Sequence, residues 1–290
     1  MRTRLALAVA LLACSGGRPF VTRGAPVVTF DGKVEKGPAV LGTADLQSLA
    51  RRGFDALPPG GERARFEGLA LSPLLGDTLE LGHEADTAVF HGEGGRAVAV
   101  PLVSIRQLKP VLADKADGVA IAAWRRGAAP LQLAWPNLGA PGIDTDPRVR
   151  WWWLGGVQRV EIVSWIATYG RALRVPPGAS DAARLGADVI DTSCLGCHRL
   201  RGVGGTRGPE LTAALVKGEP SALAPRLRVH LQHASGEASA PEITPAAAGQ
   251  VVAFLRAVEL AVHAEDEVKE QEKIEVPPAF PDGGAGGMPR

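Results

Sequence analysis

Apolar residues follow two rhythms along this chain. Up to about residue 165 they come in short runs of four to eight, alternating or clustered, with Gly, Pro and Asp between them. That is the pattern of strands joined by turns. Residues 27–34 alternate and turn at Asp31-Gly32, and 88–90 and 96–100 flank the turn 91–95 as a hairpin. Residues 118–124 and 131–135 predict apolar strands, and 150–163 a closing strand whose Trp151, Trp152 and Trp153 alternate faces. Shorter helical stretches are predicted at 45–50 and 105–112, and 63–75 predicts a strand running into a helical turn.

After Pro176-Pro177-Gly178 the spacing lengthens to that of helices. A helix capped by Ser180 or Asp181 is predicted through about Thr192, with Ala182, Leu185, Val189 and Ile190 near one face. A second is predicted over 225–233 and a last over 245–259, carrying Val251, Val252, Phe254, Leu255 and Val258. Gly186 lies inside the first of these. A glycine there costs about 1 kcal/mol relative to alanine, and a close helix crossing is the expected reason. The fold class expected is two domains: a β-rich α+β unit over 27–170 and, after a linker at 171–180, an all-α unit over 181–262. Residues 263–290 form a tail, first acidic, then rich in Gly and Pro.

Composition narrows the functions open to the chain. At 290 residues it is long enough for two cores, and a formal charge of +1 gives no reason to expect a nucleic-acid partner. The N-terminus carries Arg2 and Arg4, then an apolar run at 5–12 too short to span a bilayer, then Leu11-Leu12-Ala13-Cys14. This resembles the lipobox of bacterial lipoproteins. It implies a signal peptide over 1–13, lipidation of Cys14, a tether over 14–26, and an exported, periplasmic, membrane-anchored product. An ordinary cleaved signal peptide is the plainer alternative, and it too exports the chain.

The remaining two cysteines carry the chemistry. Cys194-Leu195-Gly196-Cys197-His198 has the spacing of a covalent c-type haem attachment site. Each thiol can add across one haem vinyl group, and His198 then falls where an imidazole nitrogen can bind iron. A structural zinc site would need two more ligands at fixed spacing, and no other Cys lies near.

Residues 181–260 resemble a class I cytochrome c domain. The resemblance is carried by Gly186 eight residues before Cys194, by the haem motif, by Gly208-Pro209-Glu210-Leu211, and by Phe254 in the last helix. It implies that the Pro209 loop carbonyl orients the His198 ring. The family's distal Met is missing: Ala240 stands at its slot, Met1 goes with the signal, and Met288 lies in the tail. His233 and His230 are the candidate distal ligands; an open site, Met288 and Lys217 are further options.

Residues 27–165 resemble the molybdopterin-binding domain of the sulfite oxidase family. The carriers are residues 29–34, Phe66-Glu67-Gly68-Leu69 with Leu74-Leu75, the 130–136 strand, and the Trp151–Val163 close. That family's molybdenum-ligating cysteine would fall in residues 58–65, where this chain has none. The expectation is therefore a scaffold or docking unit without molybdopterin, with His83 and His91 as surface loop residues rather than metal ligands.

Together these features predict an exported mono-haem protein passing electrons to or from a redox protein, with no catalytic acid or base. Two alternatives stand beside it: a sulfite-oxidase-like molybdoenzyme with a fused haem unit, and a haem sensor or peroxidase with open iron.

Overall fold

The structure is a computed structural model and describes residues 20–125, 129–139, 143, 147–213, 219–235 and 243–274. The apolar run 5–12, Cys14, Lys217, Ala240 and Met288 lie outside the described residues. In chain order the first elements are β1 (Pro26–Gly32), β2 (Ala39–Gly42), α1 (Thr43–Ser48), β3 (Arg51–Ala56) and β4 (Ala64–Ala70). There follow α2 (Leu71–Pro73), β5 (Thr87–His91), β6 (Ala97–Pro101), α3 (Leu102–Leu108), β7 (Val111–Ala116), β8 (Val119–Ala120) and α4 (Ile121–Trp124). Then come β9 (Gln132–Ala134), α5 (Pro147–Trp151), β10 (Leu154–Gly155) and β11 (Arg159–Val163). The last part contains α6 (Asp181–Ser193), β12 (Arg199–Leu200), β13 (Val203–Gly204), α7 (Pro220–Ser235) and α8 (Pro245–Ile274).

Two sheets organise the first 165 residues. One runs β2-β1-β11-β5-β6, with β1 and β11 parallel and the other neighbours antiparallel. The other runs β10-β9-β7-β4-β3, with β8 paired to β7. Their apolar faces close on one core that includes Phe30, Phe66, Phe90 and Trp135, all fully buried. The alternating pattern read in 27–34 thus forms β1, with Val28 and Phe30 inward.

Three local expectations change. The helix expected at 105–112 is α3, which stops at Leu108: Lys109 is left-handed (φ 53°) and Pro110 cannot continue a helix, so Val111 starts a strand. The strand expected at 118–124 keeps two residues, then coils into α4. The Trp run is not a strand. Trp151 ends α5, the Trp152 N–H reaches back to the Arg148 carbonyl at 3.1 Å, and only Leu154–Gly155 and Arg159–Val163 are extended. Trp152 and Trp153 are nevertheless core residues: Trp135 Nε1 donates to the Trp152 carbonyl at 3.1 Å, and Trp153 stands edge-on to Phe66.

The largest correction concerns fold class. The part after residue 180 is not a separate all-α unit. Within it β12 and β13 form a two-stranded sheet, Arg199 opposite Gly204 and Leu200 opposite Val203. Its buried core, moreover, is shared with the sheets. Val89 of β5, Ala97 of β6 and Val163 of β11 are buried in the same cluster as Ala187, Ile190, Leu195 and Phe254. The reason is chemical: β5 and β6 are apolar on both faces, so their outer face needs a cover, and the helices supply it. The chain is a mixed α/β protein throughout.

Helix α6 crosses α8 at Gly186, as its position inside a helix leads one to expect. A Cβ there would lie 2.0 Å from the Gln250 carbonyl oxygen and 2.9 Å from the Phe254 Cβ. The Ser180 hydroxyl caps α6 by accepting from the Ala183 N–H at 3.3 Å. Helix α8 runs on through the acidic stretch to Ile274. No helix among the described residues is long and apolar enough to cross a membrane.

Candidate functional site

Helix α6 ends at Ser193, and the chain turns through Cys194–His198 into β12. The Cys197 and His198 N–H groups both donate to the Cys194 carbonyl, at 3.1 and 3.0 Å, which folds the five residues into one tight turn. The two cysteines are not joined in a disulfide. Burial pushes the Cys194 thiol up to about 12, with a further contribution from Cys197 beside it.

His198 is fixed from below. Its Nδ1 donates to the Pro209 carbonyl at 2.7 Å. That bond sets the tautomer and leaves the Nε2 lone pair for another partner. Gly208 makes room for the ring, since a Cβ there would sit 2.3 Å from the His198 Cε1. The proline-loop contact expected from the sequence is therefore present in the geometry.

Cys194, Cys197 and His198 all open onto one cavity of about 440 Å³, within the range of cofactor sites. Its walls come from both parts of the chain. Helices α6, α7 and α8 contribute Val189, Leu223, Leu227 and Val251. The opposite wall is Ala97 and Ala99 of β6 with Trp151 and Trp165. Two backbone bonds stitch this wall to the motif: the Ala97 N–H donates to the Gly196 carbonyl at 3.0 Å, and the Thr206 N–H to the Gly95 carbonyl at 2.6 Å.

Of the two candidate distal ligands, the structure brings His230 to the site. Its Nε2 lies 3.4 Å from the His198 Nε2. His233 lies in the last turn of α7, and its side chain is outside the described residues. Three arginines, Arg96, Arg148 and Arg226, also line the cavity, and Arg148 stacks over the Trp152 ring at 5.6 Å.

The sequence reading missed the sheet-side wall. Ala97 and Gly196 are ninety-nine positions apart in the chain, and no local periodicity reports such a pairing. It also missed Asp191 and Tyr169, both on the cavity wall. Burial pushes the Asp191 carboxyl up to about 6, and the nearby Asp188 carboxylate adds to the rise. Burial raises Tyr169 as well, with the Asp191 charge adding to it. Because the folded chain holds the Asp191 proton more tightly than the unfolded chain, its stabilising contribution is complete below the ordinary value of 3.8 and is lost as pH rises through about 6. Asp191→Asn is therefore expected to raise stability at pH 7 by up to about 3 kcal/mol. Thermal unfolding of both proteins should show that gap shrinking towards pH 4; a gap independent of pH would refute the assignment.

Among the described residues no group of three or more His, Cys, Asp or Glu is placed to hold a metal ion. Residues 58–63 are the connection of the β3–β4 hairpin, with Arg63 paired to Asp55 at 2.7 Å. His83 is exposed in a turn, as expected. His91 is not a loop residue: it ends β5, half-buried, with its Nε2 3.2 Å from Glu161 Oε2.

Comparison with protein-family models finds no match, and comparison with curated proteins finds none. Among solved structures, the chain is similar to the sulfane dehydrogenase SoxCD from Paracoccus pantotrophus, at 20% identity and a TM-score of 0.37. The likeness covers 47% of this chain and spans 38% of that one.

Proposed function

We propose that this chain carries one c-type haem and moves single electrons between redox proteins outside the cytoplasmic membrane. The observation that carries the reading is the convergence of Cys194, Cys197 and the Nε2 of His198 on one largely apolar cavity. Each thiol would add its S–H across one vinyl group, the sulfur to one carbon and the hydrogen to the other. The bound haem would supply an iron that takes up and gives back one electron.

The chain's own residues have distinct parts in this. Cys194 and Cys197 would hold the haem covalently. His198 presents an imidazole nitrogen whose basicity and direction are set by the Pro209 carbonyl. Trp151, Trp165 and the β6 alanines, with Leu223, Leu227 and Val251, would give the haem an apolar surround. The sheet unit, on this reading, is a wall of the cofactor site as well as a docking scaffold. No residue is assigned as a catalytic acid or base. The hairpin connection at 58–63 and the single His residues at 83 and 91 offer no soft donor for molybdenum.

Export and anchoring belong to the same proposal, since c-type haem is attached outside the cytoplasmic membrane in bacteria. Metabolic labelling with a fatty acid should tag the wild type and leave Cys14→Ser unlabelled; equal labelling would refute the anchor. The haem itself is tested by making the chain in a host that matures c-type haem. One haem per chain surviving denaturation is expected, and a chain that binds haem only reversibly, or not at all, would overturn the proposal.

A further inference from the structure

We infer that His230 is the second axial ligand of the iron, so that imidazole closes both faces of the haem. The inference rests on the haem reading above and goes beyond it by naming the ligand, which decides whether the iron has an open position.

His230 is placed by its helix. Leu223, Leu227 and His230 fall at i, i+4 and i+7 along α7 and line the same cavity, the spacing of one helix face. This stripe faces the haem motif. The rings of His198 and His230 stand 5.6 Å apart, centre to centre, tilted by 48°. With Nδ1 of His198 committed to Pro209, the two atoms that meet are Nε2 and Nε2, 3.4 Å apart.

That separation can be set against what a metal needs. Imidazole nitrogens bind metals at about 2 Å, so an ion between two of them requires about 4 Å. His230 is exposed, and a shift of about half an ångström would open the gap to that width. Other donors are scarce. Among the described residues the cavity wall holds no methionine and no lysine, and His230 is the one imidazole besides His198.

Two consequences distinguish this arrangement. An axial thioether raises the haem potential, so a pair of imidazoles sets it lower than in a Met/His protein. An iron closed on both faces also has no position for peroxide or a small gas, which argues against the sensor and peroxidase alternatives.

The test uses the full-length, haem-loaded protein and three spectra. Ferric wild type should be low-spin, His230→Ala high-spin, and His233→Ala low-spin like the wild type. Added imidazole should return His230→Ala to low spin, which shows that the variant has kept its cavity. Reduced His230→Ala should bind carbon monoxide at once, and the wild type only after ligand displacement, at least tenfold more slowly. A haem-loaded His230→Ala with an unchanged low-spin spectrum, or loss of low spin in His233→Ala alone, overturns the inference and leaves the haem reading intact. A wild type without covalent haem overturns that reading first.

Discussion

Cys194→Ala combined with Cys197→Ala is expected to leave the chain with no haem that survives denaturation, whereas the wild type keeps one per chain. The size of the effect follows from the bonds involved. On the proposed reading each thioether would be covalent, so removing both would turn a permanent attachment into a binding equilibrium held by His198 and the cavity walls. The single variants should fall between, each retaining one thioether. Haem staining on a denaturing gel and the intact mass of the chain read the result directly. The alternative chemistry of a C-x-x-C pair makes a different forecast. A dithiol redox site would show disulfide exchange in wild type and none in the variants, with no haem in either. If the wild type carried no haem but cycled a disulfide, the reading of the whole site would be wrong.

What could be read in advance divides by distance along the chain. The motif and its Pro209 contact are local, and their chemistry is visible in residue type and spacing; at Gly186 the residue type alone announces a crossing, though not its partner. The capped start of α6 and the alternation that makes β1 belong to the same class. The parts that were not legible are long-range. That β6 donates Ala97 to the carbonyl of Gly196 depends on how an outer sheet face finds its cover. Alternating strands report only that a face is apolar, not what will lie on it. The all-α expectation failed for this reason: the helices read correctly as helices, but their partner is a sheet. The Trp151–Trp153 run misled differently. Aromatic residues favour strands, yet here tertiary packing against Phe66 and Trp135 holds a helical turn and an irregular connection instead. The approach of His230 to His198 was not legible either, since it joins residues thirty-two positions apart in the chain.

Gly186→Ala is expected to destabilise the protein more than any other single methyl group added to α6. In an isolated helix the change would help, because alanine is favoured over glycine by about 1 kcal/mol. The crossing reverses the sign. The new Cβ would stand 2.0 Å from the Gln250 carbonyl oxygen and 2.9 Å from the Phe254 Cβ. Both neighbours are backbone or close to it, on a helix that Phe254 and Leu255 hold in the core with almost no exposure. Neither can move without separating α6 from α8. Overpacking of this kind costs about 1–3 kcal/mol and occasionally more. With so short a contact the upper end applies, and after the propensity gain the net loss is about 2 kcal/mol. For a chain of this size each kcal/mol moves the unfolding midpoint by roughly 2–4 °C, so a fall of about 4–8 °C is expected. Gly76→Ala is the control: that glycine is exposed, with nothing within 4 Å of an added Cβ, and its midpoint should stay within a degree or so of wild type. The same displacement also reaches the site, because α6 delivers Cys194 one residue past its end. A Gly186→Ala protein as stable as wild type would mean that the two helices do not cross at this residue, and that the cavity walls are arranged differently.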